Sequence, residues 1–118
     1  MVIQRQQVEV FRKYMRRQFE ARIMKHLCAN FPDQTRPLDQ QGLQSLVVWG
    51  IVRAESYGIE FEDDIQRYLE YMMVLSQDFD TNPHTSWAGD ILRGNNADGT
   101  KKMAQIDNIY LFSRRWEA

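Results

Sequence analysis

The chain has 118 residues, of which 43% are hydrophobic and 26% charged, and this composition predicts one folded domain spanning residues 1–118 rather than a disordered or low-complexity chain. The formal net charge is −1, and no stretch approaches the ~18 consecutive apolar residues that a membrane span needs, so we expect no membrane partner. The single cysteine, Cys28, excludes an internal disulfide and favours a reducing compartment, which predicts a cytoplasmic location.

The first predicted element is a long basic helix from residue 2 to about residue 29. Apolar side chains recur there at intervals of three or four residues, which places them on one stripe of a helix. The helix should end just before Pro32, because the residue that precedes a proline avoids the helical region. The stripe is predicted to consist of Val8, Phe11, Met15, Phe19, Ile23 and Leu27.

A second helix is predicted to start after Asp39, whose side chain can accept hydrogen bonds from the free amides of the first turn. The preceding residues 32–37 are predicted to form a polar connection. Gly50, in the middle of this helix, costs about 1 kcal/mol relative to alanine, which indicates the close approach of a neighbouring backbone. Three further apolar residues point away from the main apolar face and belong either to a core or to a partner-binding surface: Val48, Trp49 and Val52.

Gly58 is the predicted C-terminal cap of the second helix, and a third helix is predicted to begin around residues 61–63. Its first turn is acidic, as the helix dipole favours. The inward face of this helix is predicted to carry Phe61, Ile65, Tyr68, Leu69, Met72 and Leu75.

Asn82 is predicted to cap a short fourth helix that Pro83 opens, and Thr100 is predicted to cap a last helix, which carries Met103, Ile106 and Trp116. No segment shows the alternation that is typical of a strand. The sequence therefore predicts an all-α fold, a compact bundle of about five helices with a long basic first helix and a short fourth helix.

The acidic turn at residues 78–82 matches the first three ligand positions of an EF-hand loop, but proline and Gly89 occupy the sixth and twelfth positions. We therefore interpret it as a capped turn. One cysteine and two histidines cannot complete a standard zinc site, and His26 and Cys28 do not share a helix face. The sequence thus predicts a protein that is not an enzyme and has no catalytic residues, no metal site and no cofactor.

Charge is distributed unevenly, with a net +5 over residues 1–37 and a net −8 over residues 38–98. This asymmetry indicates either a partner-binding surface or electrostatic packing of the terminal helices on the centre. A basic cluster that includes Lys13 could contact nucleic-acid phosphates, but the sequence pI of about 6.1 and the absence of a recognised motif disfavour that function. The candidate partner-binding residues are Arg12, Arg16, Arg17, Val48, Trp49 and Val52; the oligomeric state is not predicted.

Residues 49–92 contain several spaced elements in a fixed order: R-A-x-x-Y-G-I, an acidic helix start, Y-L-x-x-M, D-F-D, and a proline before W-A. This block resembles small helical accessory proteins encoded beside type VI secretion effectors, spike proteins and adaptor-chaperones. The resemblance implies an effector-handling accessory or co-chaperone in the bacterial cytoplasm, with a secreted effector, adaptor-chaperone or toxin as its partner. A cytoplasmic immunity protein that neutralises a cognate toxin and a nucleic-acid-binding regulator are the alternatives.

Overall fold

The computed structural model describes the backbone of residues 5–117 and the side chains of residues 5–112. Within that part of the chain six α-helices form and no strand is present, which confirms the predicted all-α class. The chain divides into two compact units, residues 1–48 and residues 49–118. The helices are α1 (Arg5–Asn30), α2 (Pro32–Thr35), α3 (Gln40–Ser56), α4 (Glu62–Val74), α5 (Ser86–Arg93) and α6 (Gly99–Glu117), and one turn of 3-10 helix, Pro83–Thr85, precedes α5.

In α1, the long helix of the first unit, the buried side chains lie only in the C-terminal half. Phe19, Ile23 and Leu27 have almost no exposed surface, whereas Phe11 is 62% exposed and every side chain from residue 9 to residue 18 faces solvent. A helix of this length spans roughly 39 Å, and α2, which packs on it, is only four residues long. The predicted apolar stripe is therefore a core face in one half of the helix and a free surface in the other.

The predicted polar connection at residues 32–37 is wrong, because α2 forms there. Pro32 occupies its first turn, where a proline costs no helical hydrogen bond. Thr35 is buried and donates its hydroxyl hydrogen bond to the Phe31 carbonyl oxygen at 2.9 Å. The cap predicted for α3 is confirmed, since the backbone amide of Gly42 donates to Asp39 Oδ1 at 2.6 Å.

In the second unit, α4 and α5 both pack against α6. The predicted inward face of α4 is buried at Ile65, Tyr68, Leu69 and Met72 and partly buried at Leu75. Phe61 is 68% exposed, and its assignment to that face is wrong. Phe61 precedes the helix with an extended backbone (φ −82°, ψ 141°), so its side chain does not follow the helical stripe.

The turn between α3 and α4 has the geometry that the sequence predicts. Gly58 has φ +82°, a left-handed conformation that favours glycine. The amide of Ile59 donates to the Ala54 carbonyl oxygen at 3.2 Å, and its side chain is fully buried. Lys102 of α6 is buried as well and donates from Nζ to the Tyr57 carbonyl oxygen at 2.9 Å, so this turn is an anchoring point for α6.

The predicted cap of the last helix is wrong by two residues. Asp98 is the cap, because its Oδ1 accepts a hydrogen bond from the amide of Lys101 at 2.9 Å. The Thr100 hydroxyl instead donates to Oδ2 of the buried Asp64 at 2.6 Å. This contact links α6 to the first turn of α4. Trp116 lies outside the described side chains, and the predicted start of the first helix at residue 2 lies outside the described backbone.

Gly50 lies where α3 and α4 approach closely. A Cβ at this position would lie 2.8 Å from Met72 Sδ and would overlap the Leu69 side chain. The neighbour of Gly50 is therefore a pair of side chains of α4 rather than the backbone that the sequence predicts.

Candidate partner-binding surfaces

The exposed half of α1 presents a mostly apolar surface, which we name the α1 apolar face: Val10, Phe11 and Tyr14, with the polar Gln7 at its N-terminal end. These residues line a shallow depression of about 460 Å³ together with Gln6. Their spacing, i, i+3, i+4 and i+7, places them on one side of the helix. Large exposed apolar side chains that cluster in this way are typical of interaction surfaces.

Next to this face lies a second surface, which we name the basic groove. It has a volume of about 590 Å³ and is lined by α1 and by Gln40 and Gln44 at the start of α3. The predicted residues Arg12, Arg16 and Arg17 all line it, and Lys13 joins them. The structure therefore brings together the basic half of the predicted set on one concave surface.

The apolar half of the predicted set lies on α3. Val48, the last residue of the first unit, is exposed. In the second unit Val52 is also exposed, and Trp49 is 41% exposed. Trp49 therefore belongs to the surface. The Arg53 guanidinium lies over the Trp49 ring, with its central carbon 5.6 Å from the ring centroid, a cation–π geometry.

The same arginine belongs to a polar cluster whose centre is Asp80, a residue only 1% exposed. Asp80 Oδ2 accepts hydrogen bonds from Arg53 Nε at 3.0 Å, from Arg53 Nη2, and from the Tyr57 hydroxyl at 2.7 Å. The hydrogen bond to Asp80 raises the pKa of Arg53, and burial raises the pKa of Tyr57. Arg93 of α5 donates to the backbone oxygen of Asp80 at 2.8 Å. The cluster thus holds Arg53 in place against the face of the Trp49 ring.

A second polar cluster joins α4 to α6. The Tyr71 hydroxyl donates to Asp107 Oδ1 at 2.5 Å, and Arg67 Nη2 lies 2.6 Å from Asp107 Oδ2. Arg67 also lies 3.8 Å from Asp64, the residue that accepts from Thr100. These contacts join polar and charged side chains within α4 and between α4 and α6, and we assign them a structural role.

Burial raises the pKa of three tyrosines, Tyr57, Tyr68 and Tyr71. The unfolded chain therefore loses these phenolic protons first, near the ordinary tyrosine pKa of about 10. We expect the free energy of unfolding to be maintained below that pH and to fall as the pH rises through the folded-state pKa values. Urea denaturation at several pH values, followed by tyrosinate absorbance, measures this loss.

Tyr68→Phe is the matched variant for the alkaline measurement. The Tyr68 hydroxyl is buried and has no hydrogen-bond partner among the described residues, so its removal is expected to change the stability at neutral pH by less than about 1 kcal/mol. The same variant should lose less stability above pH ~10 than the wild type. If the two proteins show the same alkaline loss, Tyr68 does not contribute to it.

The remaining reactive side chains have local structural roles. His26 Nδ1 lies 3.2 Å from the side-chain nitrogen Nδ2 of Asn30. The backbone N–H of His84 donates to Oδ1 of the capping residue Asn82 at 2.9 Å. Asp78 Oδ1 accepts from Ser76 and Asn82, and these hydrogen bonds lower the pKa of Asp78. Across the described residues, no three His, Cys, Asp or Glu side chains cluster in a way that could hold a metal ion. In the same part of the chain, no helix has both the length and the apolar character required to cross a membrane.

Comparison of the chain with protein-family models, with curated proteins and with solved structures found no match. Sequence reasoning missed three residues of the α1 apolar face, Gln7, Val10 and Tyr14, because none of them lies on the predicted stripe, and it placed Phe11 on that stripe rather than on a contact surface. A signal for Val10 and Tyr14 was present, since the apolar side chains of residues 8–15 spread over nearly half of the helix circumference, which is too wide for one narrow stripe. These apolar side chains are Val8, Val10, Phe11, Tyr14 and Met15.

Trp49→Ala is expected to leave the protein folded and to lower the free energy of unfolding by roughly 2 kcal/mol, because it removes the cation–π contact with Arg53 and the part of the 41%-exposed ring that is shielded from water. A buried tryptophan would cost ~3–5 kcal/mol instead. Urea denaturation monitored by far-ultraviolet circular dichroism distinguishes the two magnitudes. A loss in the larger range would place Trp49 in the core.

Proposed function

We propose that this protein is a non-catalytic protein-binding module whose main contact surface is the exposed half of α1. The observation that carries the proposal is the α1 apolar face beside the basic groove. Aromatic residues and arginine are enriched at the cores of protein interfaces, and both are concentrated on this helix. Trp49 and Val52 are a secondary candidate contact surface on α3.

The double variant Phe11→Ser/Tyr14→Ser tests this function. Both side chains are exposed, so we expect the variant to retain the circular dichroism spectrum and most of the stability of the wild type. Partner binding should fall on the order of 100-fold, because two anchors of the contact are removed. The measurement is affinity purification from the native host with quantitative mass spectrometry, which compares the partners of wild type and variant.

Phe61→Ser is the matched control, since Phe61 is an equally exposed phenylalanine of the second unit. We expect this control to retain the partners of the wild-type protein. Equal retention by Phe11→Ser/Tyr14→Ser would contradict the use of α1 as a contact surface. If Phe61→Ser lost its partners to the same extent as Phe11→Ser/Tyr14→Ser, the loss would reflect a general effect of surface hydrophobicity.

Within this proposal, the resemblance of residues 49–92 supports a role as an effector-handling accessory or co-chaperone of a type VI secretion system in the bacterial cytoplasm. Purification from the host should then recover an effector, an adaptor-chaperone or a spike protein. Co-expression with a toxin encoded beside the gene separates this role from that of an immunity protein. Rescue of growth would support immunity, whereas altered secretion or stability of the effector without rescue supports a co-chaperone.

The basic groove favours a second candidate, a nucleic-acid-binding regulator, because clustered arginines can neutralise phosphates. Binding of a labelled duplex should in that case weaken steeply with salt and decrease in Arg16→Glu. Such a result would replace the protein-binding proposal for this surface. Duplex binding that is absent at low salt would remove this candidate.

A further inference from the structure

The α1 apolar face has the spacing with which one amphipathic helix docks on another. Anchors at i, i+3, i+4 and i+7 form a ridge into which the side chains of a facing helix can pack. The exposed run of α1, residues 9–18, includes the three large members of this face, Val10, Phe11 and Tyr14. The face is therefore long enough for about two turns of a docked helix.

The positive charges at the edge of the α1 apolar face favour one chemical class of partner helix. At about 100° per residue, Lys13 and Arg17 lie along one edge of the α1 apolar face, where it meets the basic groove. Neither side chain makes an ion pair or hydrogen bond with another described residue. Positions that flank an apolar seam pair with the opposite charge on the facing helix and so determine partner choice. Lys13 and Arg17 thus favour carboxylates.

Two other occupants match this surface less well. The α1 helix of a second copy would place the same cations along the same seam, and such like-charge contacts are destabilising. A flat lipid surface could contact the apolar face, but it could not enter the concave groove that Arg12 and Arg16 line together with α3. A helix with carboxylate side chains can reach both surfaces.

We infer that α1 binds an acidic amphipathic helix of a partner protein, whose apolar side chains contact the α1 apolar face and whose carboxylates face Lys13 and Arg17. This inference rests on the proposed function and adds the chemical class of the partner. The apolar contact supplies most of the affinity, while the edge cations supply selectivity and a dependence on salt.

The test uses two synthetic helical peptides of about three heptads, with leucine at the a and d positions. One peptide has glutamate at the flanking positions and the other has lysine. Fluorescence anisotropy measures the binding of each labelled peptide to the full chain. We expect the wild type to bind the glutamate peptide on the order of 100-fold more tightly than the lysine peptide at low salt, and the difference to decrease at high salt.

Charge reversal at the edge should exchange this preference. Lys13→Glu/Arg17→Glu is expected to bind the lysine peptide and to lose the glutamate peptide, whereas Phe11→Ser/Tyr14→Ser should lose both. The control Arg36→Glu/Lys101→Glu changes the net charge equally at two exposed positions that line neither the α1 apolar face nor the basic groove, and it should behave as the wild type. Equal binding of both peptides, or a preference that the reversal does not change, would overturn the inference.

Sedimentation equilibrium and flotation with anionic phosphatidylglycerol vesicles test the other occupants. A wild-type dimer that Phe11→Ser/Tyr14→Ser dissociates would assign the face to a second copy, and vesicle binding lost in that variant would assign it to a lipid surface. Either outcome would overturn the inference. If the peptides fail to bind but the same variant still loses its host partner, the proposed function stands and only the acidic helix is rejected.

Discussion

Replacement of Asp80 by alanine is expected to lower the free energy of unfolding by about 3 kcal/mol. The carboxylate is 1% exposed and accepts every hydrogen bond of the cluster with Arg53 and Tyr57 through one oxygen. Its removal leaves a guanidinium and a hydroxyl in the packed region without their acceptor. The Arg53 side chain is 34% exposed and can partly rehydrate, so the expected loss is at the lower end of the range for a broken buried ion pair.

Asp90→Ala is the control for this measurement, because Asp90 is an exposed aspartate whose nearest contact to Arg93 is 3.5 Å long. We expect its change in unfolding free energy to stay within about 0.5 kcal/mol. A double-mutant cycle of Asp80→Asn with Arg53→Met then isolates the coupling between the two side chains. Similar losses for Asp80→Ala and Asp90→Ala would show that the buried pair contributes little to stability.

Gly99→Ala is the second large expected effect, a loss of roughly 3 kcal/mol in the free energy of unfolding. A Cβ at this position would lie 2.6 Å from Ile59 Cα and 2.9 Å from the Gly58 carbonyl carbon. Both are backbone atoms of the turn between α3 and α4, so no side-chain rotation can relieve the overlap. The start of α6 would have to move away from the turn, which would weaken the Lys102 contact as well.

Gly94→Ala is the matched control, as Gly94 has φ −67° and a Cβ there would lie 3.4 Å or more from its nearest neighbours. We expect a gain of about 0.4–1 kcal/mol, because alanine reduces the conformational entropy of the unfolded chain. Urea denaturation of the two variants under the same conditions compares the effects. A neutral result for Gly99→Ala would mean that the turn moves readily to make room for the methyl group.

Features of the fold that depend on neighbouring residues were predictable from the sequence. Asp39, Gly58 and Asn82 each form or permit a hydrogen bond within five residues. Asp39 and Gly58 have the predicted role, whereas Asn82 caps the 3-10 turn that precedes α5 and not α5 itself. The cap predicted at Thr100 was wrong because its hydroxyl donates its hydrogen bond elsewhere, to the buried Asp64, which is 36 residues away in sequence. Local capping rules do not include such a competitor.

The candidate surfaces were predictable in part. The basic residues of α1 that line the groove all lie within residues 12–17, so their proximity follows from helical geometry, whereas the groove also needs the start of α3. Whether Trp49 is buried depends on what packs around α3, and the apolar sequence there is compatible with either outcome. Val10 and Tyr14 were missed for a related reason, because a helix with apolar residues over a wide arc has no unique inward face in its sequence.

The sequence by itself determined the helical class and most helix ends, since these depend on hydrogen bonds and backbone preferences within a few residues. Only the tertiary structure decided which half of α1 is buried, that Trp49 is exposed, and that Asp80 pairs with Arg53 across 27 residues. Burial and long-range ion pairs depend on the length and placement of the packing elements. A periodic apolar pattern specifies a helix face, but the elements that pack on that face decide whether it becomes core or binding surface.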